Sequence, residues 1–173
     1  MGLALPIVAM AAIVALSNYA VQFPLNDWLT WGALTYPVSF LVTDLTNRAR
    51  GPAAARRVVY VGFALAVLLS IWLATPRIAL ASGAAFLAAQ LSDVSIFHRL
   101  RGSVWWLAPL GSSVVGSTLD TALFFSLAFA GTAVPWPTLA LGDLAAKFAI
   151  AAAMLIPFRV LLSRIAPVTL PVK

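Results

Sequence analysis

The 173-residue chain is 62% hydrophobic and only 9% charged, with a mean hydropathy of +1.00 and a formal net charge of +6. Soluble domains are about 25% charged, so this composition belongs to an integral membrane protein and leaves no room for a second, water-soluble domain. Cysteine and glutamate are absent and His98 is the sole histidine, which excludes disulfides and cysteine nucleophiles and leaves neither a metal site nor another cofactor to expect.

A helix needs about 20 apolar residues to cross the hydrocarbon core. Residues 3–22 form the first such segment. With no basic region ahead of it and no small-residue cleavage site, it reads as a retained span rather than a signal peptide. Pro24, Asn26 and Asp27 mark a turn, and a second segment follows at 29–47. That second stretch is unusual. Pro37 breaks it, Asp44 sets a carboxylate in apolar company, and Arg48, Arg50, Arg56 and Arg57 crowd the following loop. A proline inside a span frees a backbone carbonyl, and an intramembrane charge needs a partner or water. These costs are the marks of a working site. Further segments cover 57–75, 78–98, 106–130 and 138–162, joined through Thr75-Pro76-Arg77, Arg99 to Ser103 and Gly131 to Pro137. The expected fold is all-α: one domain over residues 1–173, six transmembrane helices, sequential neighbours antiparallel.

Arginine placement orients the spans. With six spans, Arg48, Arg50, Arg56, Arg57, Arg99, Arg101, Arg159, Arg164 and Lys173 share one side and Arg77 stands on the other. Both termini are therefore expected in the cytoplasm. This asymmetry also accounts for the positive charge, so no nucleic-acid partner is expected; the partners are membrane lipids. A short echo links Thr43-Asp44 with Arg48-Ala49-Arg50-Gly51 to Ser92-Asp93 with Arg99-Leu100-Arg101-Gly102. It reads either as a three-plus-three repeat or as a shared boundary device.

Four aspartates and one lysine fall inside the spans. Helical spacing groups Phe40, Asp44 and Asn47 on one face, Phe86, Gln90, Asp93 and Phe97 on another, and Ser113, Gly116, Ser117 and Asp120 on a third. Asp143 and Lys147 stand at i and i+4, where an ion pair can form. Each has a structural alternative. Asp44 and Asp93 could pair with boundary arginines, Asp120 with Lys147 across helices, and the small residues could serve close helix packing. Trp105-Trp106 suits an interfacial anchor and His98 a span boundary. Taken together, four carboxylates against one lysine point to a cavity that accepts a cation, a proton or a donor-rich ligand. A carboxylate can take two parallel N–H donors, such as the edge of a guanine-type base presents.

Ser17-Asn18-Tyr19, Thr30-Trp31-Gly32-Ala33, the run from Tyr36-Pro37 through Thr43-Asp44-Leu45, and Ala55-Arg56-Arg57 resemble the queuosine precursor transporters, the vitamin uptake transporter family. So do Gln90, Asp93-Val94, Phe97, Arg99-Leu100-Arg101, Trp105-Trp106-Leu107-Ala108-Pro109 and Asp120-Thr121. The similarity runs from about residue 17 to residue 130 and weakens over the last span, where Lys147 and Pro157 align. It implies a multi-pass importer in the bacterial inner membrane, not an enzyme. The implied cargo is 7-cyano-7-deazaguanine and 7-aminomethyl-7-deazaguanine, precursors of queuosine, moved by secondary transport. On that reading the substrate-binding candidates are Asn18, Asp44, Gln90, Asp93 and Asp120, and the gating or coupling candidates are Asp44, Asp143 and Lys147. A homo-oligomer is left open and no ATPase module is expected. The alternative is a substrate-binding subunit of an energy-coupling-factor vitamin transporter, which would need such a module.

Overall fold

The computed structural model describes residues 2–20, 23–26, 29–73 and 75–165. Asp27 of the expected first turn and Lys173 of the tail lie outside them. In chain order the elements are α1 (Ala4–Ala20), β1 (Pro24–Asn26), β2 (Leu29–Thr30), α2 (Trp31–Thr35), α3 (Val38–Arg50), α4 (Pro52–Leu73), α5 (Pro76–Leu100), α6 (Leu107–Phe129) and α7 (Trp136–Leu162). The helices follow the apolar segments closely. The first join adds a small antiparallel pairing of β1 with β2, Pro24 opposite Thr30 and Asn26 opposite Leu29.

Helices α4 to α7 are long and apolar enough to cross a membrane, and α1 is a shorter apolar helix. The second expected span is not one helix. It is the single turn of α2, a break at Tyr36-Pro37, and the 13-residue α3. The proline ring cannot donate to the preceding turn, so the chain restarts there. α4 begins at Pro52, earlier than the apolar run, because Gly51 (φ 83°) reverses the chain directly after α3 and its N–H closes on Asn47 O at 2.9 Å. Only glycine adopts that conformation cheaply. Arg56 and Arg57 then ride on the exposed face of the first turns of α4.

The short, polar α3 is the centre of the bundle, in contact with α1, α4, α5, α6 and α7. Its Ser39, Thr43, Asp44, Thr46 and Asn47 are all buried. Apolar side chains close around it in two groups. Met10, Val14, Ala55, Val58, Val59, Phe86 and Val94 form one; Phe97, Ala108 and Phe158 form the other. Leu5, Val8, Trp72, Leu80, Leu141 and Ile156 point outward, as side chains facing lipid must. The chain is thus hydrophobic outside and polar along its axis.

The two ends of the bundle differ in charge. Arg101 Nη2 donates to Arg48 O at one end, where Arg159 also stacks on Trp105 with 4.8 Å to the ring centroid. At the other end Arg77 donates from Nε to Leu127 O (2.9 Å) and from Nη2 to Ala130 O (2.6 Å). Those carbonyls at the end of α6 have no helical partner of their own, which explains an arginine isolated from the others.

Candidate functional site

Three residues of the broken second segment meet three residues of α6 one turn at a time. Tyr36 Oη donates to Asp120 Oδ1 at 3.2 Å. The Phe40 ring lies against Gly116, where a Cβ would fall 2.7 Å from its Cε1. Ser112 Oγ donates to Asp44 Oδ1 at 3.3 Å. Steps of four residues advance a helix about 6 Å, so an aromatic layer separates two polar layers stacked along the bundle axis.

The polar layer toward the Arg77 end is charged and paired. Lys147 Nζ contacts Asp120 Oδ2 at 2.7 Å and Asp143 Oδ2 at 2.5 Å, and Thr121 Oγ1 lies 3.2 Å away. Thr121 in turn donates to Asp143 Oδ2 at 2.8 Å. Lys147 also sits 5.7 Å from the centroid of the Tyr36 ring. Its side chain is 5% exposed, against 10% for Asp120 and 13% for Asp143. The cation therefore ties α6 to α7 and, through Tyr36, to the break before α3. Both structural alternatives foreseen for these residues, the i, i+4 pair and the cross-helix pair, are formed at once.

The layer toward the arginine end is built differently. Thr43 Oγ1 donates to Gln90 Oε1 at 2.6 Å, Gln90 Nε2 to Ser39 Oγ at 2.8 Å, and Asn47 Nδ2 to Val94 O at 2.9 Å. These bonds hold α3 alongside α5, parallel to it. The repeated Asp-to-Arg segments thereby lie next to each other, and the register of Thr43 on Gln90 and Asn47 on Val94 brings the buried side chains of Asp44 and Asp93 together. Both residues are fully buried, 1% and 0% exposed. Neither pairs with a boundary arginine, the structural alternative for these two residues. Among the described residues the ion pairs are those of Lys147. Among the described residues neither oxygen of Asp93 accepts a hydrogen bond of standard geometry, and the nearby hydroxyl of Ser112 is shared between Asp44 and Pro109 O.

The three predicted faces are all buried, and they converge. Asp44, Gln90 and Asp93 gather in one layer; Asp120, Asp143 and Lys147 gather in the other. Asn18 lies on α1, but its side chain is outside the described residues. Ser39, Thr43 and Ser112 complete the inner network and were not singled out from the sequence, although Thr43 stands next to Asp44 and Ser112 next to Ser113. Among the aromatics beside these layers, Tyr36 packs edge-on to Phe40 and Phe86, with centroids 6.1 Å apart in each case. Phe97 is committed to Phe158 instead.

A cavity of about 10 Å³ opens beside Asp44, between α3, α6 and α7, lined also by Pro37, Phe40, Ser113, Met154 and Phe158. It holds about one water molecule, whereas pockets for drug-sized ligands are about 300–1,000 Å³. In this conformation that cavity admits nothing the size of a nucleobase.

Long apolar helices around a buried, charged axis define a multi-pass membrane protein whose polar groups face its own interior. The sequence matches the family model of the putative vitamin uptake transporters over residues 30–75 and 68–162, and the chain belongs to that family. It is 37% identical to a probable queuosine precursor transporter of Haemophilus influenzae, over 84% of this chain and 79% of that one. It is likewise 37% identical to the queuosine precursor transporter of Escherichia coli, with the same coverage. A probable queuosine precursor transporter of Bacillus subtilis is 30% identical over 59% of this chain and 57% of its own length. No solved structure gives a significant match.

Proposed function

We propose that the protein imports queuosine precursors, 7-cyano-7-deazaguanine and 7-aminomethyl-7-deazaguanine, across the bacterial inner membrane as a secondary transporter. The observation that carries this reading is identity at 37% to transporters of that name over most of both chains. The buried axis supplies suitable chemistry. Asp93 and Asp44 offer carboxylate oxygens short of donors, and a deazaguanine presents adjacent N–H donors. Gln90 can add an amide to the carboxylate, and Tyr36, Phe40 and Phe86 flank the same layers. The aminomethyl substrate carries an ammonium group that an acid-rich axis tolerates.

The proposed topology is a single six-span domain with both termini in the cytoplasm, α2 and α3 acting together as the second, broken span. Asn18, Asp44, Gln90, Asp93 and Asp120 are the proposed substrate-binding set. Asp143 and Lys147, with Asp44, are the proposed gating or coupling set. Because the cavity beside Asp44 is too small for a nucleobase, a transport cycle must part α7 from α3 and α6. α7 carries Met154 and Phe158 at the cavity and is weakened by Pro157 inside the helix. The test is uptake of labelled 7-cyano-7-deazaguanine by cells unable to make it. Accumulation that requires this protein supports the reading, and equal accumulation with and without it overturns it.

A further inference from the structure

The inner layer has an unusual balance of donors and acceptors. Asp44 and Asp93 bring four carboxylate oxygens into a space with almost no accessible surface. One hydroxyl serves them, that of Ser112, at 3.3 Å from Asp44 Oδ1, and its single hydrogen is equally placed for Pro109 O, also at 3.3 Å. Among the described residues Asp93 accepts no hydrogen bond of standard geometry, and Asn47 Oδ1, one turn along α3 from Asp44, accepts none either. An ionised carboxylate removed from water without a partner is among the costliest arrangements a protein can contain. Two of them in contact cannot both stay ionised.

Among the described residues no neighbouring element places a cation in an ion pair with Asp44 or Asp93. α1 contains no charged side chain, and its one titratable residue, Tyr19, is exposed. On α4, Arg56 and Arg57 are exposed. On α3 and in the turn after α5, Arg48 and Arg101 make no ion pair with either aspartate, and at the end of α5 His98 makes none and Arg99 is exposed. From α6 and α7, Lys147 is held by Asp120 and Asp143 in the other layer, beyond Phe40. Arg159 stacks on Trp105. The adjoining cavity admits a water and is too small for a hydrated metal ion.

We propose that Asp44 and Asp93 share one proton, and that this carboxyl pair is where the transporter takes up and releases a proton during its cycle. The proposal rests on the transport reading above and adds its coupling ion. In the resting pair the proton is bonded to one carboxyl oxygen and donated to the facing carboxylate, leaving one negative charge over the two groups. Uptake occurs on one side of the membrane. Release on the other side, by way of water entering when α7 parts from α3, returns the second carboxylate. No electron moves and no co-reactant beyond water is needed. In the Lys147 cluster, by contrast, a lysine already serves both carboxylates.

Two measurements on the purified full-length protein test this separately. Infrared spectra at neutral pH should show a protonated-carboxyl band that shifts in heavy water. The band should be absent from the Asp44→Asn/Asp93→Asn double variant and present in Asp120→Asn. Absence of the band from the wild type, or its persistence in the double variant, overturns the site. In vesicles with the membrane potential clamped, a pH gradient, alkaline inside, should drive accumulation of 7-cyano-7-deazaguanine. One coupled proton allows a limiting ratio of about tenfold per unit of pH difference. Counterflow of labelled against unlabelled substrate, without a gradient, reports transport itself. Counterflow that proceeds while accumulation ignores the pH gradient overturns the coupling. Absence of counterflow overturns the substrate reading, and the infrared result then still decides the proton site.

Discussion

The Phe40 ring occupies the notch that Gly116 leaves in α6, and a methyl group added at residue 116 would lie 2.7 Å from its Cε1 and 3.3 Å from Ala89 O on α5. The aromatic can yield, but the α5 backbone cannot do so cheaply. This contact sets the spacing of α3, α5 and α6, and it separates the paired charges at Lys147 from the carboxyl pair below. Gly116→Ala should therefore overpack the axis, at a cost of about 1–3 kcal/mol, and lower uptake. Adding Phe40→Leu should recover part of the lost thermal stability in detergent. If Gly116→Ala alone melts like the wild type, the ring is not wedged as described.

Removing Lys147 and removing one of its partners should have unequal effects. Lys147→Met leaves Asp120 and Asp143 facing each other, both largely buried. Breaking a buried pair from one side costs about 3–5 kcal/mol, so this variant should be scarce in the membrane. Asp120→Asn leaves Lys147 with Asp143, and its amide can still accept from Tyr36 Oη. It should reach the membrane in near-normal amounts while uptake falls sharply. Equal abundance of both variants would mean that the cluster contributes little to folding, and normal uptake by Asp120→Asn would make it a packing residue.

Orientation can be read from reporters fused after Thr132, at the Arg77 end, and at the C-terminal tail beyond Arg164. Nine of the eleven lysines and arginines fall on the tail's side in a six-span arrangement, so the two fusions should report opposite compartments, the tail cytoplasmic. Signals from the same compartment would require a different number of crossings between residues 132 and 164.

Helix positions were legible because each apolar segment is long and is bounded by proline, glycine or arginine. Residues 78–98 and 138–162 read from hydropathy became Pro76–Leu100 and Trp136–Leu162. The second segment was legible only in part. Pro37 announced a break, but hydropathy could not show that α3, the least apolar of the helices, would be the one surrounded by the others. The choice of partners was the harder problem. Asp120, Asp143 and Lys147 carry opposite charges, and their pairing was anticipated as one alternative. Asp44 and Asp93 carry like charges, which no pairing rule brings together. Their meeting depends on α3 and α5 running parallel, through the Thr43–Gln90 and Asn47–Val94 contacts. The Asp-to-Arg echo was the one sequence sign of that symmetry.

Asp93 gives the sharpest test of what the axis recognises. It is 0% exposed, next to Asp44 and one turn from Gln90, and among the described residues its oxygens accept no hydrogen bond of standard geometry. A guanine-type edge would supply two donors. A site of this kind rejects ligands that leave its polar groups unpaired, by factors on the order of 10⁴–10⁵. Asp93→Asn changes one acceptor oxygen into an N–H₂ donor. Toward Asp44 that is harmless, because an amide N–H can donate to the facing carboxylate much as a shared proton does. Toward the substrate it sets donor against donor. The variant should therefore fold and reach the membrane normally while losing most deazaguanine uptake. Asp93→Glu keeps the acceptor pair but adds a methylene to a closed site. It should lose some protein to overpacking and retain more transport per molecule than the asparagine variant. Quantifying membrane abundance beside uptake separates the outcomes. If Asp93→Asn loses protein in proportion to transport, the carboxylate is needed for folding. The assignment of Asp93 to the substrate then falls.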